Sequence, residues 1–257
     1  MIVINADDFG RTPPINQAIL YCFHRGLCSS ATLMANMPGF EEACDLVHQE
    51  KLADHVGLHL VLRDGFPLTE PIKRVPAFCD SNGRLSRLTL RPVMSLSSQE
   101  KRALAEEIRA QITRCRKFGH LPLTHVDSHC HLHTNFTVAS VLLTVMAEQG
   151  LNCLRISRNC GPINGMGRRL YKNLFNAWLR RKGVAATKYF GSVADVVDSF
   201  NGKVQSGSKT SVEIMIHPIL DSQGRTVDRH AQCAVDDLVK KITGYHQAVS
   251  FAGCKYP

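Results

Sequence analysis

The stretch MIVINADD, residues 1–8, begins with four apolar residues and ends, after Asn5 and Ala6, in an acidic pair, Asp7 and Asp8. The apolar run is too short for a membrane span, and it lacks the basic cluster and long apolar core of a secretory signal. We therefore interpret residues 2–5 as the first β-strand of a globular fold. The acidic pair is expected at the carboxyl end of that strand.

Strand-like and helix-like segments alternate along the rest of the chain. Thr12 followed by Pro13 predicts a helix start, and Ser97 with Glu100 predicts a capping box at the start of another helix. Further helices are predicted over residues 40–47, 137–149, 168–182 and 231–246. Strands are predicted over residues 2–5, 30–34, 56–62, 123–127, 153–156, 187–190 and 212–216.

About seven β/α units in 257 residues predict one α/β domain over residues 1–257. We expect a TIM-barrel-like (β/α) barrel, irregular and with about seven strands. A doubly wound open sheet is the alternative. Residues 63–97 contain several prolines and the turn pair Asn82-Gly83, which predicts a loop excursion, and residues 202–209 are typical of a polar linker.

The composition is that of an ordinary globular protein, with 44% apolar and 21% charged residues and a mean hydropathy of −0.10. Ten cysteines are present, but the closest two, Cys22 and Cys28, are six residues apart, so no CxxC pair supports a zinc ribbon or thioredoxin-type site. Most cysteines fall on apolar faces, where a free thiol behaves as a small hydrophobe. These features predict a reduced, cytoplasmic protein.

The net charge is +9, and its densest basic segment is the predicted helix at residues 168–182. This helix also carries an apolar stripe that contains the single tryptophan of the chain, Trp178. Two interpretations stay open: a barrel helix with a solvated basic face, or an interfacial helix that contacts anionic lipid at the inner membrane. Nucleic-acid binding is disfavoured because no recognised fold or stacking array accompanies the charge.

Polar side chains, most of them acidic or histidine, lie at or near the carboxyl ends of several predicted strands. They are Asp7 and Asp8, His59, the histidine-rich run at residues 125–133, Arg155 and His217. In parallel β/α folds these strand ends meet at one face, where active sites form. We therefore expect these side chains to share one site.

Two imidazoles and one carboxylate are suited to a divalent metal and leave coordination positions open for hydrolytic chemistry. One residue of the Asp7-Asp8 pair can bind the metal while the other acts as a base. Simpler interpretations exist for each motif alone. An acidic pair can cap a helix, His59 can be a hydrogen-bonded core histidine, and a histidine-rich run can bind metal adventitiously.

Four motifs occur together in the order NADDFG (residues 5–10), GLH (57–59), DSHxHxH (127–133) and MxHP (215–218). In this combination the chain resembles the YdjC-like carbohydrate deacetylases, which include chitooligosaccharide deacetylases and deacetylases of hopanoid biosynthesis. The resemblance implies a TIM-barrel-like fold and removal of the N-acetyl group from an amino sugar.

By position, the resemblance implies one divalent metal ion, zinc or magnesium foremost, held by Asp8, His59 and His129. It makes Asp7 the base that activates water and His217 the candidate general acid. The remaining implied site residues lie around the substrate: Arg155, His131 and His133. The resemblance also implies a homo-oligomer whose subunits contact each other through residues 63–97.

Two other classes of function stay open. Another metal-dependent hydrolase, a phosphoesterase or an amidohydrolase, can use the same scaffold. The usual amidohydrolase order has an HxH motif on the first strand, whereas this chain has the Asp7-Asp8 pair there. A non-catalytic sugar-binding or metal-binding protein is the third class. It is disfavoured because such a protein has little use for a second carboxylate next to the one that binds the metal.

Overall fold

The computed structural model describes residues 1–86, 95–201, 203, 210–242 and 245–253. Over these residues the chain forms an α/β fold around one curled parallel sheet. Apart from residue 203, the predicted linker at 202–209 lies outside the described residues. So do residues 87–94 of the predicted loop excursion.

Six strands form the parallel sheet. They are β1 (Ile2–Phe9), β2 (Ser30–Leu33), β3 (Val56–Leu60), β4 (Val126–Ser128), β5 (Tyr189–Ser192) and β6 (Val212–Ile216). Their order in space is β4-β3-β2-β1-β6-β5. In the opposite direction the order is β5-β6-β1-β2-β3-β4, which is the order of successive strands in a β/α barrel that is open between β4 and β5. The sheet is therefore a curled half-barrel. The central strand β1 is buried along its whole length, as expected for a parallel sheet covered on both faces.

Helices cover the sheet on the described part of the chain. They are α1 (Pro13–His24), α2 (Phe40–Gln49), α3 (Glu70–Lys73), α4 (Ser98–Lys117), α5 (Phe136–Glu148), α6 (Met166–Arg181), α7 (Val193–Phe200) and α8 (Val235–Val239). The predicted helix starts at Thr12 and Ser97 are confirmed, and Ser97 and Glu100 form the expected reciprocal capping box. Among the described residues no helix has both the length and the apolar character needed to cross a membrane.

The strand predicted over residues 153–156 is reduced to isolated parallel bridges, which join Val126 to Leu154 and Cys153 to Ala185. The segment therefore lies in the gap between β4 and the chain leading into β5. The parallel sheet of the described residues has six strands where about seven were expected. A fully closed TIM barrel stays a prediction.

The helix predicted over residues 231–246 is wrong for most of its length. Helical structure is limited to α8 and a 3-10 turn at Tyr245–Gln247, and residues 243–244 lie outside the described residues. The reason is local: the Asp228 carboxylate accepts hydrogen bonds from the backbone N–H groups of His230 and Ala231, which fixes a turn there. Before this turn the chain forms an antiparallel hairpin that the pattern did not predict, with strands β7 (Pro218–Leu220) and β8 (Thr226–Asp228).

Candidate metal and catalytic site

The carboxyl ends of the strands surround a cavity of about 680 Å³. Asp7 and Asp8 come from β1, His59 from β3, His129 from the residue after β4 and His217 from the residue after β6, and all five line this cavity. The predicted convergence of strand ends is therefore seen in the structure.

Asp8, His59 and His129 form a cluster in which one potential ligand atom from each lies within 4.8 Å of the others. Oδ1 of Asp8 is 3.4 Å from Nε2 of His59 and 3.2 Å from Nδ1 of His129. This oxygen is buried and accepts no hydrogen bond. A buried carboxylate oxygen without a hydrogen bond, faced by two imidazole nitrogens, fits a divalent metal ion, because such a cation satisfies all three atoms.

Adjacent residues Asp7 and Asp8 point in different directions because the end of β1 is irregular. The register between β1 and β2 shifts between Ala6 and Phe9, and Asp8 adopts a φ of 71°. A non-glycine residue in this left-handed region is uncommon and is often found at functional sites. The distortion turns the Asp8 carboxylate toward the two histidines and leaves Asp7 with separate partners.

Asp127 orients the ring of His59. Its Oδ1 lies 2.7 Å from Nδ1 of His59, and its Oδ2 accepts a hydrogen bond from Oγ1 of Thr32 at 3.1 Å. Burial disfavours the charged ring, but the Asp127 carboxylate outweighs this and raises the pKa of His59 to about 10. Because Nδ1 of His59 donates its hydrogen bond to Asp127, Nε2 is the ring nitrogen that can bind a metal ion. The metal ion must displace the proton on Nε2 when it binds.

Asp7 is bound by the Arg155 guanidinium. Its two oxygens accept hydrogen bonds from Arg155 at 2.7 and 2.8 Å, and Nδ2 of Asn5 donates a third at 2.9 Å. Burial by itself would raise the pKa of Asp7, but the charge and hydrogen bonds of Arg155 hold it well below its usual value. Asp7 is therefore an ionised carboxylate, fixed in one orientation beside the cluster.

Arg155 is fully buried and does not line the cavity, although the sequence suggested a place near the substrate. Its guanidinium also contacts Oδ2 of Asp127 at 2.6 Å and Oε1 of Glu213 at 2.5 Å. Its position beneath Asp7 prevents direct contact with a ligand in the cavity. The acidic Glu213 inside the apolar strand β6 was the available signal of this buried ion network, and sequence reasoning missed it.

His217 lies near Asp7, with 3.8 Å between its Nε2 and Oδ2 of Asp7. Its backbone N–H donates to Oδ2 of Asp228 at 2.7 Å, and its ring meets the ring of His230 edge-on. Burial lowers the pKa of His217, and the nearby Asp7 and Asp8 carboxylates only partly oppose this. The neutral imidazole is therefore favoured in the resting protein.

The other two predicted histidines differ in their access to the cavity. His131 lines the cavity, and burial lowers its pKa to about 3. His133 is fully buried outside the cavity lining, and its Nδ1 lies 2.7 Å from Oγ of Ser128. Of the pair, only His131 is placed to contact a ligand.

Three cavity residues were missed at the sequence level. Arg11 and Arg229 donate to Oδ2 of Asp8 at 3.2 and 2.9 Å, and Oδ2 of Asp64 lies 3.1 Å from Nε2 of His129. Arg11 and Asp64 lie in loops and Arg229 directly follows the β7–β8 hairpin, so no periodic pattern marks them. Together they fix the second oxygen of Asp8 and the outer nitrogen of His129.

A barrel-like α/β fold whose strand ends hold an Asp-His-His cluster beside another carboxylate is typical of metal-dependent hydrolases. The chain belongs to the YdjC-like protein family, whose family model matches residues 1–250.

Two relatives and one solved structure show the extent of the similarity. The chain is 32% identical to a carbohydrate deacetylase of Clostridium beijerinckii over 238 residues, which cover 92% of this chain and 89% of the relative. It is 36% identical to a carbohydrate deacetylase of Brevibacillus brevis over 147 residues, or 57% of this chain and about half (56%) of that relative. A crystal structure from Enterococcus faecalis, of a protein whose proposed role is cellobiose-phosphate cleavage, superposes with a TM-score of 0.67 at 21% identity. The superposition covers 97% of this chain and 96% of the other, and it shows a shared fold.

Proposed function

We propose that this protein is a metal-dependent hydrolase that removes the N-acetyl group from an N-acetylated amino sugar and releases acetate. The observation that carries the proposal is the placement of Asp7, an ionised carboxylate bound by Arg155, directly beside the cluster of Asp8, His59 and His129. The names of the relatives, carbohydrate deacetylases, support the same reaction.

Asp8, His59 and His129 would hold the metal ion, through one carboxylate oxygen and two imidazole nitrogens. When bound, a divalent metal polarises a carbonyl oxygen and lowers the pKa of a water molecule. The donor set suits zinc, and magnesium is the alternative. Elemental analysis of untreated protein identifies the ion.

Asp7 would accept a proton from the attacking water at Oδ2, the oxygen that faces His217. Arg155 and Asn5 hold this carboxylate in place, which reduces the entropy lost on reaching the transition state. Because Arg155 also makes Asp7 a weak base, the proton is passed on to Nε2 of His217. Burial makes the His217 imidazolium a strong acid, suited to protonating the nitrogen that leaves when the amide C–N bond breaks.

The cavity wall is compatible with a sugar. His131, Arg158 and His230 supply polar groups, while Val193 and Met215 supply apolar surface. Sugars present hydroxyl groups at their edges and C–H groups on their ring faces, so a mixed lining of this kind suits them.

Acetate release from N-acetylglucosamine and its oligomers tests the proposal. We expect release by the protein as purified, loss of release after treatment with a chelator, and recovery when zinc or magnesium is restored. Phosphate release from a phosphoester without acetate release would identify a different hydrolase. Binding of the sugar without any product would identify a binding protein. Cytoplasmic location and a homo-oligomeric state stay predictions.

A further inference from the structure

The excess of basic over acidic residues that gives the net charge of +9 lies in one segment of the chain. Residues 149–194 contain nine of the 31 basic residues and no Asp or Glu, so the other 22 basic residues balance all 22 acidic ones. The excess charge is therefore confined to this segment, and α6 (Met166–Arg181) runs through its middle. Such a block of charge creates a local field that selects an anionic partner.

The outer face of α6 combines this charge with exposed aliphatic side chains. Met166, Leu170 and Leu174 are 86%, 57% and 55% exposed, and their four-residue spacing places them in one row. Arg169, Arg180 and Arg181 are exposed on the same side of the helix. Among the described residues, no carboxylate forms a salt bridge with these three arginines. These six residues form the outer face of α6.

The opposite face of α6 anchors the helix in the fold. Phe175 and Leu179 are buried in the core, and the side-chain amide of Asn176 forms two hydrogen bonds with the backbone of Ser157, at 2.8 and 2.9 Å. Trp178 packs edge-on against Phe136. The core therefore does not need the outer face, which is free to bind a partner.

We propose that the outer face of α6 docks on an anionic membrane surface. The basic side chains match lipid phosphates, and the row of Met166, Leu170 and Leu174 is suited to the boundary between head groups and acyl chains. A second copy of the same face would be repelled by its like charge. A nucleic acid would need exposed stacking rings, but Trp178 and Tyr171 pack against Phe136.

The inner side of α6 contacts two segments that belong to the cavity wall. Asn176 of α6 is hydrogen-bonded to Ser157, whose neighbour Arg158 lines the cavity. The hydroxyl of Tyr171 donates to the backbone oxygen of Thr134, at the end of the segment that begins with His129. Both contacts fix α6 to segments that form the cavity wall.

Vesicle sedimentation of the full chain tests the proposal. We expect binding to phosphatidylcholine vesicles that contain about 30% phosphatidylglycerol, no binding to pure phosphatidylcholine, and weakening as NaCl rises from about 0.05 to 0.5 M. Replacing Arg169, Arg180 and Arg181 with Gln should weaken vesicle binding about a hundredfold, because each basic residue near an anionic surface raises the affinity about fivefold. Replacing Leu170 and Leu174 with Gln should also weaken it.

A matched control removes the same charge elsewhere. Lys101, Arg102 and Lys117 are exposed on α4, and their replacement with Gln should leave vesicle binding within about twofold of the wild type. Equal binding to neutral vesicles, equal loss in the control, absence of binding, or displacement of vesicles by a short RNA would each overturn the proposal. Unchanged thermal unfolding of the variants confirms that they fold.

Discussion

The guanidinium of Arg155 links Asp7 to Asp127 in the floor of the site. It donates two hydrogen bonds to Asp7, at 2.7 and 2.8 Å, and lies 2.6 Å from Asp127, which in turn orients His59. One buried cation therefore positions both the candidate base and the partner of a candidate metal ligand. Buried ions of this kind are costly to expose, so they should have measurable effects on stability.

Arg155→Met should destabilise the protein by roughly 3–5 kcal/mol, because it leaves the buried carboxylates without their cation. Arg155→Lys keeps the charge but loses the two-pronged contact, so this variant should fold and lose most of its kcat for acetate release. Urea unfolding and the acetate assay measure the two effects. The exposed pair of Arg109 and Glu148 supplies the control, since Arg109→Met should cost less than about 1 kcal/mol. Equal costs at the two positions would contradict the role of Arg155.

Asp7→Asn should retain metal and lose roughly 10²–10⁴-fold in acetate release, because the amide cannot accept a proton from water. Asp8→Ala should lose both metal and activity, because it removes one of three ligands. Metal content by elemental analysis separates these outcomes. Asp54→Asn, at an exposed carboxylate, should change neither quantity. Retained deacetylation by Asp7→Asn would exclude it as the base.

Asp127→Asn should weaken metal binding about 10–100-fold, because the hydrogen bond that orients His59 loses its charged acceptor. Competition with a chromogenic chelator measures this affinity without reference to activity. The exposed Asp45→Asn is the control. An unchanged affinity would show that His59 is oriented without Asp127.

Glu213→Gln should change the pH dependence of stability. Burial raises the pKa of Glu213 from 4.5 to about 7, and its Oε2 is buried without a hydrogen bond. When the pKa of a carboxyl group is higher in the folded than in the unfolded protein, the group stabilises the fold fully at a pH below its pKa in the unfolded chain. This stabilisation is lost as the pH rises through the pKa in the folded protein. The wild type should therefore lose on the order of 2 kcal/mol relative to the variant between about pH 5 and pH 8.

Urea unfolding of both proteins at the two pH values measures this difference. Glu106→Gln, at an exposed position of α4, is the matched control and should give no such trend. A difference between wild type and Glu213→Gln that stays constant with pH would show that Glu213 is already ionised throughout this range.

Gly57→Ala should destabilise β3 by roughly 2–3 kcal/mol or more. A Cβ at this position would lie 2.5 Å from the backbone oxygen of His125, so the strands would have to separate. Gly167 in α6 is the control, because a Cβ there meets nothing within 4 Å. Gly167→Ala should stabilise the protein by about 0.5–1 kcal/mol. Thermal unfolding compares the two variants, and a mild effect of Gly57→Ala would show that the sheet can adjust.

The spacing of apolar residues predicted the positions of many helices and strands, because one face of these segments is buried. The helices at Thr12 and Ser97 begin at the residues that their capping signals predict. The pattern failed over residues 231–246, where the Asp228 side chain fixes a turn that apolar spacing does not reveal. It also missed the β7–β8 hairpin, whose strands are too short to show alternation.

The sequence by itself determined which residues lie at the carboxyl ends of the strands, and thus that Asp7, Asp8, His59, His129 and His217 would meet at one end of the sheet. Only the tertiary structure decided how these side chains divide between roles. It placed Arg155 beneath Asp7 and not in the cavity, buried His133, and added Arg11 and Arg229 from distant segments. The physical reason is that the position of a strand along the chain depends on local periodicity, whereas ion pairing inside the fold depends on which side chains from remote segments share the same buried volume.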